Sequence, residues 1–184
     1  WATAVMESVK RIAAGELDKV VLAREVSGAF SEPVDLRQVL TRLAETYPQC
    51  WTFHVDGLIG ATPELLVRRF GDRVSSRVLA GTVRSSGSAS ADARSAEALR
   101  ASAKDLAEHE YAVRSVAHAL AKHCTDLRVA EQPSVLPLAN VQHLVTDMSA
   151  QLADGSTALA LAAALHPTAA VCGTPTERAM SVIA

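Results

Sequence analysis

Apolar residues recur along this chain at two different periods, and the points where the period changes mark out its elements. Over Ala4–Ala14, Val5, Val9 and Ile12/Ala13 fall at helical spacing, and Gly15 is placed to end the helix. Lys19–Ala29 is dense in valine and leucine and reads as a strand. Asp35 can cap a helix over Leu36–Glu45, whose Leu36, Val39/Leu40 and Leu43 share one face. Cys50–Val55, Leu58–Ala61, Glu64–Phe70 and Arg73–Val83 then read as successive strands, the last two joined through Gly71-Asp72. Ser85–Ser90 is a Ser/Gly-rich loop.

A long helical pattern follows over Ala93–His123, with a break expected near Ser102. Asp126–Ala130 and Val135–Gln151 return to the close valine and leucine spacing of strands. Thr157–Leu165 is an alanine-rich helix ended by His166-Pro167, and Thr176 can cap one more. There is no internal repeat and no clean βαβ alternation. The pattern predicts a strand-rich α+β unit, with antiparallel strands and helices packed on the sheet.

Composition narrows the class rather than the chemistry. At 184 residues, 49% of them apolar, the chain fits one sizeable domain or part of a larger one. A net charge of -2 gives no general attraction to nucleic acid or to an anionic membrane, so neither is expected as a partner. Cys50, Cys124 and Cys172 are scattered and form no CxxC pair. That argues against a disulfide framework or a zinc site and for a reducing, cytoplasmic setting. No window approaches ~18 uninterrupted apolar residues, so no membrane span is expected. The chain opens on Trp1, shows no targeting segment and stops in an apolar run at Ala184. Both ends read as cut from a longer polypeptide.

Several charged residues sit where charge needs a reason. Ser102-Ala-Lys-Asp-Leu-Ala-Glu-His-Glu-Tyr111 gathers Lys104, Asp105, Glu108, His109 and Glu110 on a helix that otherwise looks buried. Acids near a helix N-terminus also suit the helix dipole, so a solvated cap is the plain alternative. Glu108 shares a face with Tyr111/Ala112 and Ser115, which leaves room for a hydrated Mg²⁺, although one carboxylate is too few to hold it. Lys19 lies in a strand in which each face carries one cation, Lys19 or Arg24, so periodicity does not say which points inward. An inward Lys19 would have a lowered pKa and could act as a general base. Glu64 follows Thr62-Pro63 and opens an apolar strand; shielded from water, it could act as a general acid. Leu79-Ala-Gly-Thr82 lets a ligand approach the backbone closely. Nothing here supports a Ser-His-Asp triad, a GxGxxG loop or a Walker loop.

Taken in order, these segments resemble a known family. Lys19-Val-Val-Leu-Ala-Arg24, Gly60-Ala-Thr-Pro-Glu-Leu-Leu66, Leu79-Ala-Gly-Thr82, Ser102–His109, Asn140-Val-Gln-His-Leu144 and His166–Pro175 are similar to motifs of the chorismate-utilising enzymes. Among their branches the series looks most like the isochorismate synthases. The resemblance implies a central piece of a large α/β sandwich, antiparallel-rich and flanked by helices, incomplete at both ends. It implies chorismate and isochorismate as ligands and Mg²⁺ as cofactor. Lys19 then stands where the family keeps the base that activates water against C2, and Glu64 where it keeps the acid for the departing C4 hydroxyl. Glu108 matches one of the Mg²⁺-holding glutamates. His143 matches a pocket histidine, and Gly81, Thr82, Ala170 and Val171 match pocket-lining positions.

The branches differ at a few positions. The ammonia-using anthranilate and aminodeoxychorismate synthases share the Glu64 and Glu108 motifs but typically lack a lysine at the position of Lys19. The aminodeoxychorismate branch tends to carry a lysine where this chain has Ala80. Water is therefore the implied nucleophile, and no amidotransferase subunit is expected; a monomer is. Salicylate synthases share Lys19 but add pyruvate elimination. Two departures stand out: Val83-Arg-Ser-Ser-Gly87 where the family usually continues with Arg and Pro, and Ala169 where it more often has proline. The family's second metal glutamate, its carboxylate-binding arginine and a glycine-rich loop are expected beyond Ala184, which would leave this piece alone inactive.

Overall fold

The structure, a computed structural model, describes residues 1–183. Helix α1 spans Ala2–Ala13 and gives way at Ala14 to Gly15, whose φ of 73° only glycine adopts freely. Strand β1 is Lys19–Val20, and α2 runs over Leu36–Thr46, its N-terminus capped by Asp35 accepting from the Arg37 N–H at 3.0 Å. Strands β2 (Trp51–Val55) and β3 (Leu58–Thr62) make a hairpin through Asp56-Gly57, both at positive φ, the turn chemistry a two-residue hairpin requires.

Strand β4 (Leu65–Phe70) turns through Gly71-Asp72 into β5 (Arg73–Arg84). Helices α3 (Ala89–Ala101) and α4 (Ala103–Leu120) follow. Strands β6 (Cys124–Val129), β7 (Ser134–Pro137) and β8 (Val141–Leu152) come next. The chain continues with α5 (Ala158–Leu165), β9 (Gly173–Thr174) and α6 (Thr176–Ile183). The main sheet is antiparallel in the order β4-β5-β8-β6, with β7 also paired to β8, end to end with β6.

Along β8 the even positions Leu144, Thr146, Met148, Ala150 and Leu152 are buried, the period expected of a strand with one covered face. Of these, Met148, Ala150 and Leu152 join Val74 and Val78 of β5, Ala112, Val116 and Leu120 of α4, and Leu161 and Leu165 of α5 in a core between sheet and helices. This is the α+β arrangement the sequence pattern predicts.

Three stretches differ from expectation, and the first is Val135–Gln151, which is not one strand but the antiparallel pair β7 and β8, turned between Pro137 and Val141 where the Leu138 N–H bonds the Val141 carbonyl. The strand expected over Lys19–Ala29 is only Lys19–Val20, and Val26 and Phe30 stand 86% and 76% exposed. Its ladder partner β9 is only Gly173–Thr174, and past the Val21 N–H bond to the Cys172 carbonyl no further ladder pairing occurs among the described residues. Apolar density alone cannot make a strand without that partner. The helix expected from Ala93 begins at Ala89, inside the Ser/Gly-rich loop. Ser88 takes the extended N-cap conformation there, and the Asp92 carboxylate reaches back to the Ser86 N–H at 2.6 Å. The break near Ser102 is present. Ser102 ends α3 and caps α4, accepting the Asp105 N–H at 3.2 Å.

Candidate active site

Glu64, Gly81, Thr82 and His143 gather along Leu79-Ala80-Gly81-Thr82 of β5, while Lys19 and Glu108 form a second pair. The Glu64 carboxyl accepts from the Leu79 N–H, and the Ala80 carbonyl accepts from His109 Nδ1 at 3.0 Å. Gly81 abuts Asp105 of α4, and Thr82 Oγ1 lies 2.9 Å from His143 Nδ1 on β8. A β-bulge makes this possible. Ala80 pairs with Leu144 and Thr82 with His143, so Gly81 is an extra residue, held at φ 78°. A Cβ at Gly81 would lie 3.1 Å from Leu144 Cδ1 and 3.3 Å from Asp105 Cβ, closer than a side chain normally tolerates. Without the bulge, Thr82 would share the covered face of Val74, Ser76 and Val78; with it, Thr82 stands opposite His143.

Lys19 is the inward cation. Its side chain is 11% exposed, whereas Arg24 is exposed. Its Nζ is shielded from solvent and has no hydrogen-bond partner among the described residues; Glu108 Oε1, at 3.6 Å, is an ion-pair neighbour beyond hydrogen-bond reach. Burial pulls the Lys19 pKa below the usual lysine range, and the Glu108 charge restores part of it. Burial works against the ammonium and the neighbouring carboxylate works for it, with burial the larger effect, so the proton is held less tightly than on a solvated lysine. Glu64 is perturbed the opposite way. Burial pushes its carboxyl above the ordinary range, offset in part by the Leu79 N–H. Two titratable groups pushed in opposite senses are the pairing from which a base and an acid can be drawn at one pH.

The charged segment on α4 divides. Lys104 and Glu110 are exposed, and Glu110 makes a surface pair with Arg114 at 3.6 Å that adds little to stability. Glu108 remains 41% exposed beside Lys19. His109, one residue on, is 3% exposed and hydrogen-bonded at both ring nitrogens, with Nε2 2.7 Å from Thr146 Oγ1. Burial lowers its pKa, the Ala80 hydrogen bond raising it in part. Burial lowers the pKa of His143 as well, countered in part by a hydrogen bond to the Gly81 backbone.

Glu108 is suited to one position around a cation. No cluster of three or more His, Cys, Asp or Glu side chains able to hold a metal occurs among the described residues. Mg²⁺ binds through one or two carboxylates and keeps several waters, so an accessible single carboxylate fits it as one ligand of a set that other groups complete. Ala170 packs against the main core and Val171 is 56% exposed. They belong to the turn leading into β9, which the structure ties to β1 and Lys19 rather than to the Leu79–Thr82 segment. A cavity of about 270 Å³ beside His143 is lined by Pro63, Ala61, Tyr47 and Asn140. The larger cavity, about 540 Å³, follows the second half of α4 past Arg114, His118 and Lys122, and neither Lys19, Glu64 nor Glu108 lines it. Size alone would have pointed away from the chemistry.

Thr146 and the Ala80 carbonyl are the parts of this arrangement that sequence reading missed. The available signal was Thr146 itself, a polar residue between Leu144 and Met148 on the covered face of β8, where a buried hydroxyl requires a partner.

The chain thus holds a buried lysine beside an accessible helix carboxylate, and a glutamic acid with a raised pKa against a bulged strand. The chain belongs to the chorismate-binding enzymes, whose family model matches residues 1–184. Isochorismate synthase DhbC of Bacillus subtilis (strain 168) is 41% identical over 195 residues, covering 100% of this chain and 49% of that protein. The crystal structure of a putative 2,3-dihydroxybenzoate-specific isochorismate synthase, DhbC from Bacillus anthracis, matches with a TM-score of 0.89 at 39% identity, over 98% of this chain and 51% of that one. MenF, the menaquinone-specific isochorismate synthase of Escherichia coli, matches with a TM-score of 0.85 at 30% identity, over 100% of this chain and 44% of that one. The chain spans about half the length of the curated relatives it matches. Among the described residues no helix is long and apolar enough to cross a membrane.

Proposed function

We propose that the protein containing this chain interconverts chorismate and isochorismate, adding water at C2 and expelling the C4 hydroxyl. The observation that carries the proposal is Lys19 Nζ, buried beside Glu108 with no hydrogen-bond partner among the described residues, in a chain whose Glu64 carboxyl is pushed the opposite way by burial. Similarity to the isochorismate synthases over the whole chain supports the same reading.

Hydroxide leaves poorly and water attacks poorly, so the reaction needs an acid at one side of the ring and a base at the other. In the forward direction the neutral Lys19 amine takes a proton from water as its oxygen bonds to C2. The ring double bonds shift, the C4–O bond breaks, and Glu64 gives its proton to the departing hydroxyl, which leaves as water. One water enters and one leaves, so substrate and product are isomers. Gly81 and Thr82 on the bulge, His143 opposite them, and Ala170 and Val171 on the turn beside β1 line the substrate pocket. Glu108 would be one of the residues holding Mg²⁺, which would supply charge to anchor a substrate carboxylate and disperse charge near the ring. With water as nucleophile the enzyme works without an amidotransferase subunit and as a monomer in the cytoplasm. The residue assignments rest on position in the motifs together with the burial and pairing described above.

The test is product analysis. The full-length protein, given chorismate and Mg²⁺ without ammonia, should form isochorismate, and Lys19→Ala should abolish turnover. Salicylate or an aminated ring as the product would overturn the assignment, and normal turnover by Lys19→Ala would remove the role given to Lys19.

A further inference from the structure

His109 has no part in the proton transfers above, yet it is a buried, fully engaged polar group directly beside Glu108. The ring is 3% exposed, and both nitrogens are engaged by strands of the main sheet: Nδ1 by the Ala80 carbonyl of β5 at 3.0 Å, and Nε2 by the Thr146 hydroxyl of β8 at 2.7 Å. A carbonyl oxygen only accepts, so the proton must sit on Nδ1. The Thr146 hydroxyl is the more adaptable partner, since it can donate or accept. The three contact points are informative. His109 follows Glu108 directly on α4, Ala80 precedes the Gly81 bulge, and Thr146 lies three residues beyond His143 on β8. Asp105, one turn earlier on α4, packs on Gly81 itself. Helix and sheet are thus joined at a single ring, between the metal-side carboxylate and the strand segment that faces the substrate.

We infer that His109 is a positioning residue, its Nδ1–H bonded to the Ala80 carbonyl and its Nε2 to Thr146, fixing the Glu108 turn of α4 against the Gly81–Thr82 bulge. Packing alone would be served by leucine or phenylalanine, which need no partners in a buried place. Two directional bonds to two strands fix rotation and height of the helix turn, as outer contacts do for metal-ligating side chains. The reaction affected is the one proposed above; the bonding pattern and its effect on metal binding do not depend on that reading.

The test uses the full-length protein. With ¹⁵N-labelled histidine, the signal lost in His109→Asn identifies the ring, and protonation at Nδ1 is expected; a ring protonated at Nε2 alone overturns the inference. His109→Leu should weaken Mg²⁺ binding, followed by calorimetry with chorismate present, by about tenfold, and lower kcat by a similar factor while KM for chorismate changes little. His109→Asn, whose amide can still donate to Ala80, should recover most of both losses, and Thr146→Val should show a part of them. Unchanged Mg²⁺ affinity in His109→Leu and Thr146→Val overturns the inference. If His109→Leu does not fold, Thr146→Val against His109→Asn decides it. A wild type that binds Mg²⁺ as expected but makes no isochorismate refutes the proposed reaction and leaves the calorimetric comparison to judge His109.

Discussion

Gly173→Ala asks whether Lys19 is held in place by the short β1–β9 ladder. Gly173 has φ 151° and stands opposite Val20, with Thr174 opposite Lys19. A methyl group added there would fall inside contact distance of the Lys19 carbonyl oxygen and 2.7 Å from Ala179 Cβ. Non-bonded carbons rest at about 3.5–4.0 Å, so β1 and α6 must separate by about 1 Å to admit it. Ala179 is completely buried, whereas β1 is only half-buried, so β1 is the side that yields more, and Lys19 moves with it. The positive φ adds backbone strain of about 1–3 kcal/mol. A catalytic group misplaced by about 1 Å costs on the order of 100-fold in rate. The expected result in the full-length enzyme is a kcat about 100-fold lower, with a reduced melting temperature. Gly15→Ala separates the two effects: Gly15 also has positive φ, 73°, but open space around it. It should lose stability and keep its turnover. A folded Gly173→Ala enzyme with kcat within about threefold of wild type would refute the idea that this ladder sets the lysine.

Three further outcomes follow from the structure. Glu64→Gln should lower kcat by at least about 100-fold, as expected for loss of a general acid. Because the folded pKa of Glu64 is raised, its ionisation costs stability as pH climbs from the ordinary carboxyl range through the folded value. Urea midpoints of wild type and Glu64→Gln should therefore agree near pH 4 and favour the variant at pH 8; a midpoint difference independent of pH would count against burial as the cause. Asp154 is held down to about 2 by the Ser156 N–H, then by His123 and the Ser156 hydroxyl. Its contribution is complete above the unfolded value of 3.8 and disappears as pH falls through about 2, so a carboxyl NMR titration should find it still ionised at pH 3. Leu144→Ala, at a fully buried position beneath the bulge, should cost about 3 kcal/mol in chemical denaturation, and a loss below about 1 kcal/mol would contradict the packing described.

Much of the frame was legible because it is local. Ser102 with Asp105 three residues on is a helix start written in sequence, and the hairpin turns at Gly57 and Gly71 are fixed by residues that tolerate positive φ. The extent of β1 was not legible. Leu22, Val26 and Phe30 have strand-forming side chains, but pairing is decided by a segment some 150 residues away that offers only Gly173 and Thr174. The direction of Lys19 was beyond reach for the same reason. Each face of its strand carried one cation, and only the packing of α4 selects Lys19 over Arg24. For Glu64, Glu108 and His143 the residue types and motif order marked the positions, whereas the approach of Glu64 and His143 to the bulged β5 and of Glu108 to Lys19 is tertiary information. His109 was visible only as a charged neighbour of Glu108; its two bonds cross from helix to sheet and leave no periodic trace.

Ser102 leaves no spare residue between α3 and α4, since it ends one helix and caps the next. From that joint to Glu108 the chain is continuous helix, so every residue counts toward the direction in which the carboxylate points. Each residue of an α-helix turns about 100°. A single insertion or deletion between Ala103 and Ala107 would therefore swing Glu108 away from Lys19 or force a helix turn to unwind. Length variation should be tolerated in the Ser85–Ser88 loop and be absent from the Ser102–Glu108 interval. In this part of the molecule, the spacing of residues is under stricter constraint than their identity.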